Sequence, residues 1–149
     1  MLIDKAEIQT LIPHAGAMCL LEGVTAWDDD VIVCVTDTHR DPANPLRRQG
    51  RLAALHAFEY GAQAAAIHGG LCAGAAGGVA PPGYLAALRE ARWQADELDA
   101  VTAPLDVVAR RLWHEAGHCI YAIEVSAGGR MLAEARITIA PQAKTVPCR

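Results

Sequence analysis

Between Arg51 and Arg89 the chain carries a single formally charged residue, Glu59. Around it runs Leu52-Ala-Ala-Leu-His-Ala-Phe-Glu59-Tyr-Gly-Ala-Gln63-Ala-Ala-Ala-Ile-His68, rich in Ala and poor in polar groups. The stretch reads as a helix from about Arg51 to His68, stopped by Gly69-Gly70. A helix without a charged face is apolar all round, and such a helix belongs inside a protein, with other elements wrapped about it. The same segment raises the question of membranes, but His56, Glu59, Gln63 and His68 make a spanning helix costly. A carboxyl group in these surroundings should be largely desolvated, which disfavours its charged form. A carboxyl that holds its proton near neutral pH can both give and take one. Glu59 is therefore the first candidate for chemistry, the alternative being a carboxylate that merely points to solvent from one helix face.

The rest of the chain supplies what could cover that helix. Residues 4–11 predict a short helix capped by Asp4. Pro13-His14-Ala-Gly16 predicts a turn, Met18 to Trp27 a strand, Asp28-Asp29-Asp30 a turn, and Val31 to Thr36 a second strand. Asp37 to Gly50 is a long polar loop with Pro42 and Pro45, and Gly74 to Gly83 a loop rich in Gly, Ala and Pro. Four segments of strand character follow: Tyr84–Gln94, Leu105–Glu115, Cys119–Ser126 and Met131–Ala140. Gly128-Gly129 between the last two is a hairpin signal. The tail Gln142–Arg149 should fray. Two strands, one long apolar helix and four more strands give an α+β domain spanning 1–149, in which an antiparallel sheet wraps one helix.

At 149 residues and 52% apolar content, a core of Ala, Leu, Val, Ile and Trp is affordable. A net charge of −4 leaves no broad footprint for nucleic acid. Arg47, Arg48 and Arg51 form a local basic cluster that reads as a solvated loop or as a patch for an acidic partner. Met1-Leu-Ile-Asp-Lys has no signal-peptide character, and a soluble cytoplasmic protein is expected. Cys19, Cys34, Cys72, Cys119 and Cys148 are odd in number and widely spread, which suits reduced thiols.

His114-Glu115-Ala-Gly-His118 matches H-E-x-x-H, the pattern by which a helix presents two zinc-binding His and a Glu base. Its flanks are β-prone, and Gly117 suits a turn better than a helix interior. A surface hairpin is expected, with a zinc-dependent hydrolase as the lesser alternative and no metal assigned.

Glu59 and Gln63 stand at i and i+4 and share a helix face, so Gln63 could orient the carboxyl. Elimination chemistry needs a second acid–base group, and His14, His39 and His56 are the candidates. His56 lies three residues before Glu59.

At these residues the chain resembles a family. Leu11-Ile-Pro-His14-Ala-Gly-Ala-Met18-Cys-Leu-Leu-Glu-Gly-Val24 is similar to the opening of bacterial 3-hydroxyacyl-acyl carrier protein dehydratases. Glu59-Tyr-Gly-Ala-Gln63 is similar to their glutamate helix, and more closely to dehydratase-like proteins of aryl polyene-type pathways. The resemblance covers roughly residues 8–140 in layout. It implies a hotdog fold and a homodimer or a heterodimer with another hotdog chain. It also implies a site shared between subunits, with a His from one chain and Glu59 from the other. The substrate it implies is a 3-hydroxyacyl chain on the phosphopantetheine of acyl carrier protein, dehydrated to the trans-2-enoyl thioester without metal or organic cofactor. His39 or His14 would take the C2 proton and Glu59 would protonate the hydroxyl. Gly50 would offer its N–H to the thioester oxygen at the helix start, with Gln63 and His56 beside the substrate. The family's compact His-Phe-Pro loop is replaced here by His39-Arg-Asp-Pro-Ala-Asn-Pro-Leu-Arg, and its Pro-Gly-Val by Gln49-Gly50-Arg51-Leu52. A non-catalytic hotdog subunit, binding acyl chains or stabilising an active partner, is the alternative.

Overall fold

A computed structural model describes residues 1–14 and 16–142. Cys148 and the rest of the expected frayed tail beyond Gln142 lie outside the described residues. The elements in chain order are β1 (Ile3–Asp4), α1 (Lys5–Leu11), β2 (Gly23–Trp27), β3 (Val31–Thr36), α2 (Ala57–Ala75), β4 (Gly83–Trp93), β5 (Leu105–Glu115), β6 (His118–Ala127) and β7 (Arg130–Pro141), with 3-10 turns at Gly16–Met18, Thr38–Arg40 and Ala54–His56. The seven strands form one antiparallel sheet in the order β1-β2-β3-β5-β6-β7-β4. It wraps α2, the hotdog arrangement.

Asp4 caps α1 as expected, and the cap is reciprocal: the Glu7 amide donates to Asp4 Oδ1 at 2.9 Å and the Asp4 amide to Glu7 Oε2 at 3.0 Å. The two hairpins of the second half turn on adjacent residues with positive φ. These are Gly128 (56°) with Gly129 (78°), and Ala116 (50°) with Gly117 (83°). Two left-handed residues in a row match the twist of the flanking strands, and Gly adopts that conformation without steric cost.

Three expectations need correction. The strand expected over Met18–Trp27 is regular only from Gly23, because Met18 and Leu20 bond to side chains instead of a neighbouring strand. The two-residue β1, which pairs with β2, carries no periodic signal and was not anticipated. The long helix begins and ends later than Arg51–His68. Its start is delayed because Leu52, Ala53 and Ala54 are engaged with residues 96–99. The Leu52 amide donates to Asp99 Oδ1 at 2.9 Å, the Ala54 amide to the Asp96 carbonyl at 3.0 Å, and Ala53 bridges to Glu97. At the other end the helix runs through Gly69-Gly70 to Ala75. Glycine inside a helix costs about 1 kcal/mol, but a Cβ on Gly70 would sit 3.4 Å from the Leu11 carbonyl oxygen. The absent side chain lets α1 pack closely against α2.

The α2 face that packs on the sheet is Ala57, Phe58, Gly61, Ala64, Ala65, Ile67 and His68, all buried. Opposite them lie Val107, Ala109, Tyr121, Ile123, Val125 and Ile137. Two polar side chains enter this core with their hydrogen bonds made. His68 Nε2 lies 2.8 Å from the Asp28 carbonyl oxygen, which can only accept. Nε2 therefore carries the proton, and Nδ1 accepts from the Tyr121 hydroxyl at 2.7 Å. Among the described residues no helix is long and apolar enough to cross a membrane.

Candidate active site at the head of the central helix

The ladder between residues 52–54 and 96–98 fixes the backbone just before α2. It is reinforced by the Arg51 guanidinium, which pairs with Glu97 and with Asp99. The Leu52 amide, with Arg51 nearby, holds the Asp99 carboxyl below the usual range. The 3-10 turn Ala54–His56 then passes directly into α2, placing His56 and Glu59 one turn apart on the same side. His56 Nδ1 lies 3.1 Å from Glu59 Oε1. His56 also lines a shallow cavity of about 220 Å³ with Leu46, Arg48, Arg51, Asp96 and Glu97.

Glu59 is not desolvated within the chain, contrary to expectation: its side chain is 48% exposed. The chain's own strands leave Glu59 exposed and Ala62 and Ala66 only partly covered, a strip of α2 in line with the exposed Leu55 of the preceding turn. Next to Glu59, Phe58 is buried and meets the Trp93 ring edge-on, with centroids 6.2 Å apart. Trp93 ends β4, one of the two edge strands of the sheet, whose Tyr84, Leu85, Leu88 and Trp93 are all exposed. An unpaired strand edge bearing large apolar side chains is a template for another strand. Through the Phe58–Trp93 contact the residue before Glu59 meets this sheet edge.

Other predicted site residues are placed elsewhere. Gln63 makes no hydrogen bond to Glu59. It is buried, accepts from the Leu20 amide at 2.9 Å and donates to the Met18 carbonyl at 2.6 Å. Gly50 is not at the helix start: with φ of 76° it sits in the turn closed by Arg48 and Arg51, and its carbonyl accepts from Arg47. His39 is fully buried, its Nε2 on the Val101 carbonyl at 2.9 Å and its Nδ1 without a partner, so it does not face Glu59 in this chain. His14 makes no hydrogen bond to Glu59, and its Nδ1 is also buried without a partner among the described residues. The basic cluster is largely spent on structure. Arg47 donates to the carbonyls of His39, Asp41 and Gly50, and Arg51 is paired. Arg48 is exposed and donates to carbonyls of its own loop. The H-E-x-x-H stretch forms the expected surface hairpin, with His114 opposite Cys119 and Glu115 opposite His118 on strands rather than on a helix.

A buried polar cluster behind the site escaped sequence reasoning. The Tyr60 hydroxyl lies 3.0 Å from Thr38 Oγ1 and from Asn44 Nδ2, while Thr36 and Thr38 both donate to the Leu20 carbonyl. It ties the loop before α2 to the helix at the residue after Glu59. Nothing in the spacing of these residues marks the contact; the one signal is a Tyr inside an otherwise Ala-rich helix, whose hydroxyl needs a partner when buried.

Burial lowers the proton affinity of both His39 and His68. Each stays neutral in the fold but takes a proton in the unfolded chain below about pH 6.5. Stability should therefore be complete above that pH and decline as the pH falls, by up to about 1.4 kcal/mol per pH unit for each imidazole. Chemical unfolding between pH 7.5 and 5 measures this; a midpoint rising with acidity would contradict it.

A family model described as ApeP dehydratase, of the ApeP-like family, matches residues 6–146. Among solved structures, the dehydratase heterocomplex ApeI:P from Xenorhabdus doucetiae superposes with a TM-score of 0.82 at 25% identity, covering 92% of this chain and 91% of that one. A mutant of the thioesterase PA1618 from Pseudomonas aeruginosa gives 0.65 at 15% identity over 95% and 97%. The PaaI protein from the phenylacetic acid degradation operon of E. coli gives 0.58 at 13% over 84% and 82%. The last two share the fold alone. No curated protein matches.

Proposed function

Since this chain belongs to the ApeP-like dehydratase family, we propose that it removes water from a 3-hydroxyacyl thioester carried on the phosphopantetheine of an acyl carrier protein, leaving the trans-2-enoyl thioester. The observation that carries this reading is the Glu59 carboxyl at the head of α2, open on one side and hydrogen-bonded to an imidazole on the other. Eliminating water requires a base for the C2 proton and an acid for the C3 hydroxyl, and nothing in the reaction is oxidised or reduced. Acid–base side chains supply what is needed, without metal or organic cofactor.

The site calls for a second hotdog chain. Strand addition at β4 would bury Tyr84, Leu85, Leu88 and Trp93 and, through the Trp93–Phe58 contact, close the open side of Glu59. Water would then be excluded and the carboxyl would act in a drier medium. The heterocomplex formed by the similar Xenorhabdus dehydratases supports a heterodimer as readily as a homodimer.

Glu59→Gln keeps the side chain's size and removes its acidity. Turnover of a 3-hydroxyacyl carrier-protein thioester, followed as enoyl thioester formed, should fall about a thousandfold. Unchanged turnover would remove Glu59 from the mechanism. The inward-turned His39 favours a second reading, a non-catalytic hotdog subunit that stabilises an active partner. No water elimination by the chain, together with stable co-purification of another hotdog protein, would establish it instead.

A further inference from the structure

We propose that Arg89 selects the chain that pairs with β4, favouring a second hotdog chain with a carboxylate facing it over another copy of this one; this rests on the two-chain site proposed above. The apolar side chains of β4 call for a cover, and its charges restrict which.

Ala135 and Ile137 of β7 are buried toward α2, so Arg136 between them points to the opposite face of the sheet. Arg89 is its cross-strand neighbour and stands on that face too. Further across the sheet, Arg136 is level with Ala122 of β6, and Ala122 with Arg110 of β5. This row holds three cations and no acid. The next row is mixed. Arg92 faces Glu134, with charged atoms 3.9 Å apart, and Glu134 faces Glu124. Glu90, in the bulge between the two rows, comes within 3.5 Å of Arg136. Among the described residues Arg89 is left without an ion pair, exposed at the open end of its row.

Like charges directly opposite one another in a strand pair are destabilising. Arg89 beside Arg136 is such a pair, and the free edge is the side from which an anion can reach Arg89. A strand added there would bring its side chains to about 5 Å from those of β4 on the same face. A second copy has little to offer. The outward side chains of its own β4 include Ala87, Arg89 and Arg92, and its Glu90 is already engaged with Arg136. An unlike hotdog chain with Asp or Glu at the facing position would neutralise Arg89 and relieve the Arg136 contact. Two irregularities in β4, between Leu85 and Ala87 and between Arg89 and Arg92, add twist to the edge, and Glu90 in the second has a φ of 52°. Charges and bulges on an edge strand are the devices by which sheets refuse unwanted strands. Here they favour an acidic partner strand.

Arg89→Glu places the missing carboxylate on this same fold and so serves as the unlike partner. Full-length wild type and a mass-tagged Arg89→Glu chain are mixed at low salt, about 50 mM, and after exchange the dimers are counted by native mass spectrometry. The exchange constant between unlike and like pairs should exceed its random value at least about threefold. The excess should shrink toward random at about 0.5 M salt, where exposed charges are screened. Arg110→Glu, at the far end of the same row, should mix with wild type at random. Random mixing of wild type with Arg89→Glu at low salt would overturn the inference, as would an equal excess with Arg110→Glu, or no dimer of any kind. Arg89→Asp repeats the test should the Glu variant fold poorly. Pairing is read without turnover, so its failure is separate from that of the dehydratase reading, which Glu59→Gln tests.

Discussion

Replacing Gln63 with Leu should destabilise the fold by about 2–4 kcal/mol, although the two side chains are of similar size. Gln63 is 4% exposed and serves two backbone groups at once, the Leu20 amide through Oε1 and the Met18 carbonyl through Nε2. Those groups lie in a stretch that pairs with no strand, so Leu would leave both buried without partners. An orphaned buried group costs roughly 1–3 kcal/mol, more than Leu regains by being apolar. The same stretch carries the Leu20 carbonyl that receives Thr36 and Thr38, so the damage should spread to the loop before α2. In thermal unfolding a chain of this size loses roughly 2–4 °C per kcal/mol, and a fall of about 4–16 °C is expected. A melting temperature within a degree or two of wild type would refute this account of Gln63.

Gly61→Val should cost about 3 kcal/mol, the upper end for forcing extra atoms into a packed core. Gly61 lies where α2 rests on β6. A Cβ added there would stand 2.4 Å from Ile123 Cδ1 and 3.0 Å from Ile123 Cβ. Ile123 can swing Cδ1 aside, but its Cβ is fixed to the strand, so helix and sheet must part. Gly61→Ala should be milder, since Ala regains about 1 kcal/mol of helix propensity. Ile123→Ala alone should also destabilise, by about 2–5 kcal/mol. Combined with Gly61→Val it should cost at least about 1 kcal/mol less than the sum, because each change removes what the other collides with or leaves empty. Strict additivity in denaturant unfolding would mean that the two residues do not meet.

How much was legible differs from element to element. The Asp4 cap, β3, β5 and both hairpins of the second half follow from local chemistry: a carboxylate beside free amides, alternation along a strand, Gly where φ must be positive. The H-E-x-x-H stretch was readable for the same reason, since Gly117 and its β-prone neighbours disfavour the helix a zinc site would need. Gln63 was misread because i and i+4 on a helix are neighbours but need not be partners. Its amide found two backbone groups 43 and 45 residues away in sequence.

Glu59 shows where reading by composition stops. An Ala-rich helix with one carboxylate says that the helix is buried, and from that alone the carboxylate should be buried too. The structure leaves one side of the helix only partly covered and sets Glu59 on it, because one chain's sheet does not close around the helix.

From its sequence alone this protein had an apolar central helix, a sheet to wrap it, and a single acid on that helix. Those follow from periodicity and polarity, which act over a few residues. Only the tertiary structure decided that Gln63 and His39 turn inward, that Gly50 stays out of the helix start, and that His56 meets Glu59. Such choices depend on which distant backbone groups lack partners, and that is settled when the chain closes on itself.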